Sequence, residues 1–177
     1  MEVLQGRPTD ETGRLEKEIA VYDLLDKLDI PFRRVDHVHA DTMEMCQEID
    51  QALGQDICKN LFLCNRQKTK FYLLLMPGDK PFKTKDLSAQ IGSSRLSFGG
   101  AEDMERLLNL TPGSVTVLGL MYDPDCQVTL LIDQDLYQQS AFGCHPCTNT
   151  STVQFSTADF REKLLPALGH PVTLVQL

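Results

Sequence analysis

No apolar run in the chain approaches the ~20 residues that span a bilayer, so no membrane partner is expected. The stretch Met1–Asp10 lacks a basic flank followed by an apolar segment, which speaks against a secretory leader and makes the cytoplasm the expected compartment. Basic residues are scarce: 17 Lys and Arg face 25 Asp and Glu, a net charge of −8 that excludes general phosphate-neutralising binding of nucleic acid. The six cysteines follow no disulfide rhythm, and most are expected as reduced, buried thiols. Only Cys144 and Cys147 have a metal or redox spacing, and no second pair accompanies them, so no metal is assigned and zinc stays an alternative. A Walker-type phosphate loop, a serine elbow and paired carboxylates are all missing.

The length of 177 residues suits one domain with a sizeable core. The charge is unevenly spread. Between Lys59 and Arg95 eight basic residues (Lys59, Arg66, Lys68, Lys70, Lys80, Lys83, Lys85, Arg95) meet only Asp79 and Asp86, whereas the remainder is strongly acidic. A basic strip on an acidic body suits a protein that grips one polyanion in one orientation, although solvated hairpin and helix faces would look the same.

Residues 1–12 read as a flexible lead-in, and 13–177 as the domain. Apolar Leu15, Ile19, Tyr22, Leu25 and Leu28 recur at helical spacing, so a helix is expected over 14–29, ended by Pro31. A short edge strand over 31–35 leads to a polar connection with His37 and His39, then to a helix over 42–53. Lys59–Asn65 and Lys70–Met76 read as two strands, the second apolar on both faces and therefore central. A helix over 84–91, a short strand at 96–98 and a helix over 101–109 follow. The β-branched run Ser114–Met121 predicts a strand, as does Gln127–Ile132. Ser156 and Asp159 open a helix that Pro166 must kink or shorten, and Val172–Val175 closes the fold as a strand. The expected class is α/β (mixed α+β): a single domain with a mixed, partly closed β-sheet surrounded by helices.

The stretch from Ser140 to Phe155 places a histidine, two cysteines, a proline and several hydroxyl or amide side chains in a loop between two strands. Such polar crowding beside buried strands is costly unless something binds there. From spacing alone the reading ends at a polar pocket and a basic strip.

Five short pieces in order carry it further: Asp36-His37 with Thr42, Lys59-Asn60-Leu-Phe-Leu63, Gly113-Ser-Val-Thr116, Phe142 through Thr150 with its His145-Pro146 and Asn149-Thr150, and Gly169-His170-Pro171. Together they resemble the YbaK/prolyl-tRNA-synthetase-associated editing family, closest to its free-standing Ala-tRNA(Pro) deacylases. Three positions depart from the family pattern: Val117 stands where a loop proline is usual, Gly143 and Cys144 separate Phe142 from His145, and Val38 replaces a proline after the early histidine.

The resemblance implies hydrolysis of the ester joining an amino acid to the 3′-terminal adenosine of tRNA, without cofactor and without a protein nucleophile. Lys59 would hold a phosphate near the terminal adenosine, backbone amides around Gly113 to Thr116 would stabilise the oxyanion, and His145 would anchor substrate and loop. Asn60, Ser114, Thr116, Pro146, Asn149 and His37 would bind substrate, within an apolar pocket walled from the strands at 59–63 and 70–76. Aminoacylated tRNA is the implied partner, with prolyl-tRNA synthetase as a further, open one. A Cys-tRNA(Pro) deacylase and a non-catalytic aminoacyl-tRNA-binding module remain as alternatives.

Overall fold

The computed structural model describes residues 1–177. Two sheets organise them. The first is antiparallel, in the order β1 (Leu4–Gln5), β2 (Arg33–Asp36), β8 (Ser151–Ser156), β7 (Ala141–Cys144). The second is mixed, in the order β5 (Ser97–Phe98), β3 (Lys59–Cys64), β4 (Phe71–Met76), β6 (Val128–Asp133), β9 (Val172–Val175). β3 is antiparallel to both its neighbours, whereas β4, β6 and β9 run parallel. Helices α1 (Glu16–Lys27), α2 (Met43–Leu53), α3 (Thr84–Ile91) and α4 (Ala101–Leu108) surround them. None of the helices is long and apolar enough to cross a membrane.

The mixed sheet shows why β4 reads as apolar throughout. Phe71, Leu73 and Leu75 join the main core with Phe62, Val128 and Leu130, while Leu74 and Met76 turn to the opposite face, against Leu87 of α3. Successive side chains of a strand alternate faces, so a strand covered on both sides needs apolar residues at every position. The first sheet meets the main core through Phe142, Val153 and Phe155, and Val35 on its other face packs against Ile49 and Leu53 of α2.

Four expectations change. The N-terminal residues are tied down: β1 pairs with β2, and Arg7 forms ion pairs with Glu11, Asp23 and Asp26. β2 is consequently an inner strand, not an edge. Two sheets stand in place of one. Residues 114–121 form no strand; a tight loop leads into the 3-10 helix Val117–Tyr122, in which Val117, Leu118, Gly119 and Leu120 are all buried. A strand there would turn alternate residues outward, whereas the 3-10 turn buries them all and brings Gly119 against Leu108 and Leu110. A β-carbon on Gly119 would lie 2.6 Å from the Leu110 side chain. Pro166, expected to kink or shorten the last helix, follows a local irregularity in it: α5 (Thr157–Asp159) passes through the π-helical turn Phe160–Leu164 into α6 (Leu165–Leu168). Pro166 lacks an N–H to continue the α ladder, and the wider turn accommodates it.

A polar cluster fastens α1 to the first sheet. Arg14 bridges Glu18 (2.6 Å) and Asp36 (2.9 Å), Arg34 donates to Asp36 at 3.0 Å, and the Ser151 hydroxyl donates to Asp36 at 2.6 Å. Burial alone would raise the Asp36 carboxyl, but Arg14, Ser151 and Arg34 hold it well below the usual carboxylate range. A carboxylate depressed in the folded state contributes its full stabilisation above the unfolded-chain value near ~4 and loses it as pH falls below that value. Asp36→Ala should therefore cost roughly 2–3 kcal/mol at pH 7. That is less than the ~3–5 kcal/mol of a fully buried pair, because the Asp36 side chain keeps 33% of its surface. Urea melts at pH 7 and pH 3 check both claims: the deficit of the variant should shrink at the lower pH, and an unchanged deficit would show that the carboxylate charge is not its source.

Candidate functional site

The β3 strand begins beside the loop that joins β7 to β8, and a cavity of about 250 Å³ lies between them. Its walls are Ile57, Cys58, Asn60, Gly113, Val115, Cys144 and His145. A second cavity of about 310 Å³ shares Ile57, Cys58 and His145 and adds Lys59, Gly78, Cys46 and Thr152. The three residues assigned catalytic roles thus border two adjoining hollows: Gly113 the first, Lys59 the second, His145 both. A larger cleft of about 570 Å³ near Tyr137 and Arg161 contains none of the expected site residues.

His145 is half-buried where β7 ends. Its Nδ1 lies 2.8 Å from the Ser151 carbonyl. A carbonyl only accepts, so Nδ1 carries the proton and Nε2 keeps a lone pair, for which the protein supplies no partner. Burial lowers the His145 pKa below its ordinary value and His37 adds to this, while the bond to Ser151 opposes it. His37 stands with its ring centre 6.1 Å away. By the same logic its Nδ1 donates to the Val38 carbonyl at 2.7 Å, and its Nε2 accepts from the Thr152 hydroxyl at 3.0 Å. His37 is therefore tied to Thr152 beside His145, unlike the exposed His39, but it lines neither cavity.

The Gly113 bend needs glycine twice over. Its φ of +89° is in the left-handed region, and a β-carbon would sit 3.1 Å from the Asn149 amide nitrogen. Asn149 itself is a brace: its amide donates to Asp41 at 3.0 Å and its oxygen accepts from the Ala40 N–H. Ser114 and Thr116 line neither cavity. Ser114 donates both its N–H and its hydroxyl to the Thr111 carbonyl, and the Thr116 hydroxyl accepts from the Leu118 amide. Pro146 is buried away from both hollows. Among the loop amides, those of Gly113, Val115 and Thr116 have no acceptor in the protein, and Ser114 is removed from the set of oxyanion donors.

Asn60 lines the first cavity and anchors the loop. Its side-chain oxygen accepts from the Val117 N–H at 3.0 Å, while its amide donates to the Cys58 carbonyl. This accounts for Val117 in place of the family's usual proline: a proline has no N–H to give, and here the N–H fixes the bend. The inserted Gly143 leaves room for Ile57, whose Cδ1 lies 2.4 Å from where a β-carbon would stand. Lys59 directs its ammonium to the Lys80 carbonyl.

The expected pocket walls need correction. No β4 residue lines either cavity; the first is walled by β3, the loop before it, the Gly113 bend and the end of β7, and the second adds α2, the turn at Gly78 and Thr152 of β8. Ile57 and Val115 were missed because loop residues carry no periodic signal. The thiols in the wall are protonated: burial pushes Cys144 up to about 12 and raises Cys58 as well.

A family profile for the aminoacyl-tRNA editing domain matches residues 37–163, a span holding every expected site residue. The chain belongs to the aminoacyl-tRNA editing domain family. The expected enzyme class, an aminoacyl-tRNA hydrolase, stands with that membership. The editing domain is 31% identical over 163 residues to the prolyl-tRNA editing protein ProX of Acetoanaerobium sticklandii, covering 92% of this chain and 99% of ProX. It is 28% identical over 162 residues to the prolyl-tRNA synthetase associated domain-containing protein 1 of Danio rerio, covering 90% and 86%. A solved structure named as a candidate trans-editing enzyme for prolyl tRNA synthetase superposes with a TM-score of 0.67 over 92% of this chain and 98% of that one; at 17% identity it bears on the fold alone.

The Asn60–Val117 bond generates a stability test. Asn60→Ala in the wild-type background should lose about 1 kcal/mol more than the same change in a Val117→Pro background, because the proline has already removed the donor. Denaturant melts of the four proteins measure this coupling; strict additivity would show that the bond contributes nothing.

Proposed function

We propose that this editing domain hydrolyses the ester of mischarged tRNA(Pro), with alanine as the amino acid removed, acting in trans on tRNA released by the synthetase. The observation that carries the reading is the convergence of Asn60, Gly113 and His145 on one hollow of about 250 Å³, with Lys59 on the adjoining one. That volume lies just under the range of ordinary ligand sites, which run from ~300 Å³ upward. The name of ProX as a prolyl-tRNA editing protein supports tRNA(Pro) as the substrate. The physical need is plain. A synthetase site shaped for proline cannot strongly reject alanine, because a missing methylene is worth only ~1–3 kcal/mol, and a second, smaller site excludes proline by size.

In the chemistry we infer, water attacks the ester carbonyl, the carbonyl–ribose oxygen bond breaks, and the ribose oxygen leaves as a hydroxyl with the amino acid released as its carboxylate. The free amides of Gly113 and Val115 would meet the charge that develops on the carbonyl oxygen. Lys59 would exchange the Lys80 carbonyl for a phosphate of the terminal nucleotides. His145 would accept a hydrogen bond from the substrate at Nε2, a role that requires a neutral ring. The cytoplasm, where charged tRNA is used, is the setting this reading implies.

Purified protein offered Ala-, Cys- and Pro-tRNA(Pro) should release alanine fastest and leave proline attached, and Lys59→Ala should slow the reaction by about 100-fold. Fast release of cysteine with alanine untouched would reassign the substrate, and no release of any would favour a binding module.

The pH dependence follows from the depressed imidazole. His145 should stay neutral through its ordinary value of ~6.5, so kcat/KM should fall only below that pH. His145→Ala should lack this acid limb. A midpoint above 6.5 in the wild type would contradict the assigned role.

A further inference from the structure

The Lys59 ammonium is not free in solvent; it is held by the carbonyl of Lys80. Lys80 ends the turn that follows β4, closed by its own N–H donating to the Pro77 carbonyl at 3.2 Å. This turn forms part of the second cavity through Gly78, where a β-carbon would lie 2.3 Å from the Ile57 carbonyl oxygen. Its position is therefore coupled to the wall of the site as well as to Lys59.

The Lys80 side chain points the other way and is fully occupied. Its ammonium lies 2.9 Å from Asp133, 2.7 Å from Asp135 and 2.8 Å from the Leu177 carbonyl. Asp133 is completely buried at the end of β6, and its second oxygen accepts the Asp135 N–H at 3.0 Å. Three oxygens from two separate segments thus grip one ammonium on a turn that would otherwise be tied by a single local bond. A surface ion pair would not need a buried carboxylate; this geometry fixes a backbone. Lys80 was counted among the residues of a basic strip, yet its charge is spent inside the protein.

We propose that Lys80 is a positioning residue for Lys59: the grip of Asp133, Asp135 and Leu177 on its ammonium sets the turn whose carbonyl holds the Lys59 ammonium at the rim of the cavity. The proposal rests on the reading of Lys59 as the phosphate-holding group. Lys59 is thereby presented in one place before substrate arrives, and the phosphate takes over from a carbonyl acceptor at the same spot.

The test is a cycle. Lys80→Met should lower kcat/KM on Ala-tRNA(Pro) about tenfold or more, chiefly through KM, and Lys80→Arg should restore most of it. In a Lys59→Ala background the same Lys80→Met change should have no further effect. Wild-type kinetics in Lys80→Met, or an equal loss with and without Lys59, would overturn the proposal, the second result marking a merely structural role. Where Lys80→Met alone fails to fold, the pair Lys80→Met/Asp133→Asn removes the unpaired buried charge and is read the same way. A second readout stands apart from activity: acylation of Lys59 by an amine-reactive ester, followed by peptide mass spectrometry, should quicken in the Lys80 variant. Unchanged Lys59 labelling would sink the proposal even if no charged tRNA were hydrolysed, whereas inert wild-type protein with altered labelling would count against the enzyme reading only.

Discussion

The register of β2 against β8 is the constraint on which the site depends. Asp36 lies opposite Ser151 and Val35 opposite Thr152. With Asp36 fixed there, its carboxylate takes the Ser151 hydroxyl, and the Ser151 carbonyl is left to take the Nδ1 proton of His145. The next residue, His37, then falls where the Thr152 hydroxyl can reach it, and its N–H donates to the Thr150 carbonyl at 2.9 Å. A slip of one residue would turn every side chain of β2 to the opposite face. Arg14 and Arg34 close on the same carboxylate and hold Asp36 in that register. The energy of the cluster is electrostatic, and its consequence is geometric.

The hairpin of β3 and β4 supplies the other half of the site by a different means. β4 is anchored on both faces by the two apolar clusters, and Lys59 pairs with Met76 in the ladder. The start of β3 is thus held by core packing. Lys59 and Asn60, adjacent in sequence, serve opposite sides: one borders the second cavity and reaches Lys80, the other lines the first and holds the Gly113 loop through Val117.

What could be read from the sequence divides along the same line. Strand β4 and helix α1 were legible because burial imposes a period on them: apolar at every position in a strand covered on both faces, apolar at helical spacing for α1, where Val21, Tyr22 and Leu25 are fully buried. The meeting of Lys59, Gly113 and His145 around two adjoining hollows was expected from resemblance, not from period. The 3-10 turn after Gly113 was not, because Val115-Thr116-Val117 has strand-forming side chains and the deciding partner, Asn60, is 57 residues away. Local preference loses to a distant acceptor there. The cavity walls Ile57 and Val115 were equally hidden, since each belongs to a loop whose path is set by contacts that no spacing rule describes. The role expected of Ser114 meets a related obstacle: its hydroxyl looks available in the sequence and is turned back to the Thr111 carbonyl across a four-residue turn.

The cavity also bears on the question of a nucleophile. Two thiols, Cys58 and Cys144, line it, and a cysteine in a site that cleaves an ester invites a covalent mechanism. The thiolate is the reactive form, and an activated cysteine needs a cation, a helix N-terminus or a partner base to populate it. Here the opposite environment prevails. Cys58 donates to the Gly143 carbonyl at 3.3 Å, and burial is the leading influence on both thiols, pushing each upward. Neither thiol is hydrogen-bonded to His145, whose ring nitrogen Nδ1 is turned to Ser151 and Thr152 instead. The thiols therefore act as small apolar surface. The pocket is thus walled by protonated sulfur, isoleucine and valine, with free amides at its glycine bend and no activated thiol among its lining residues.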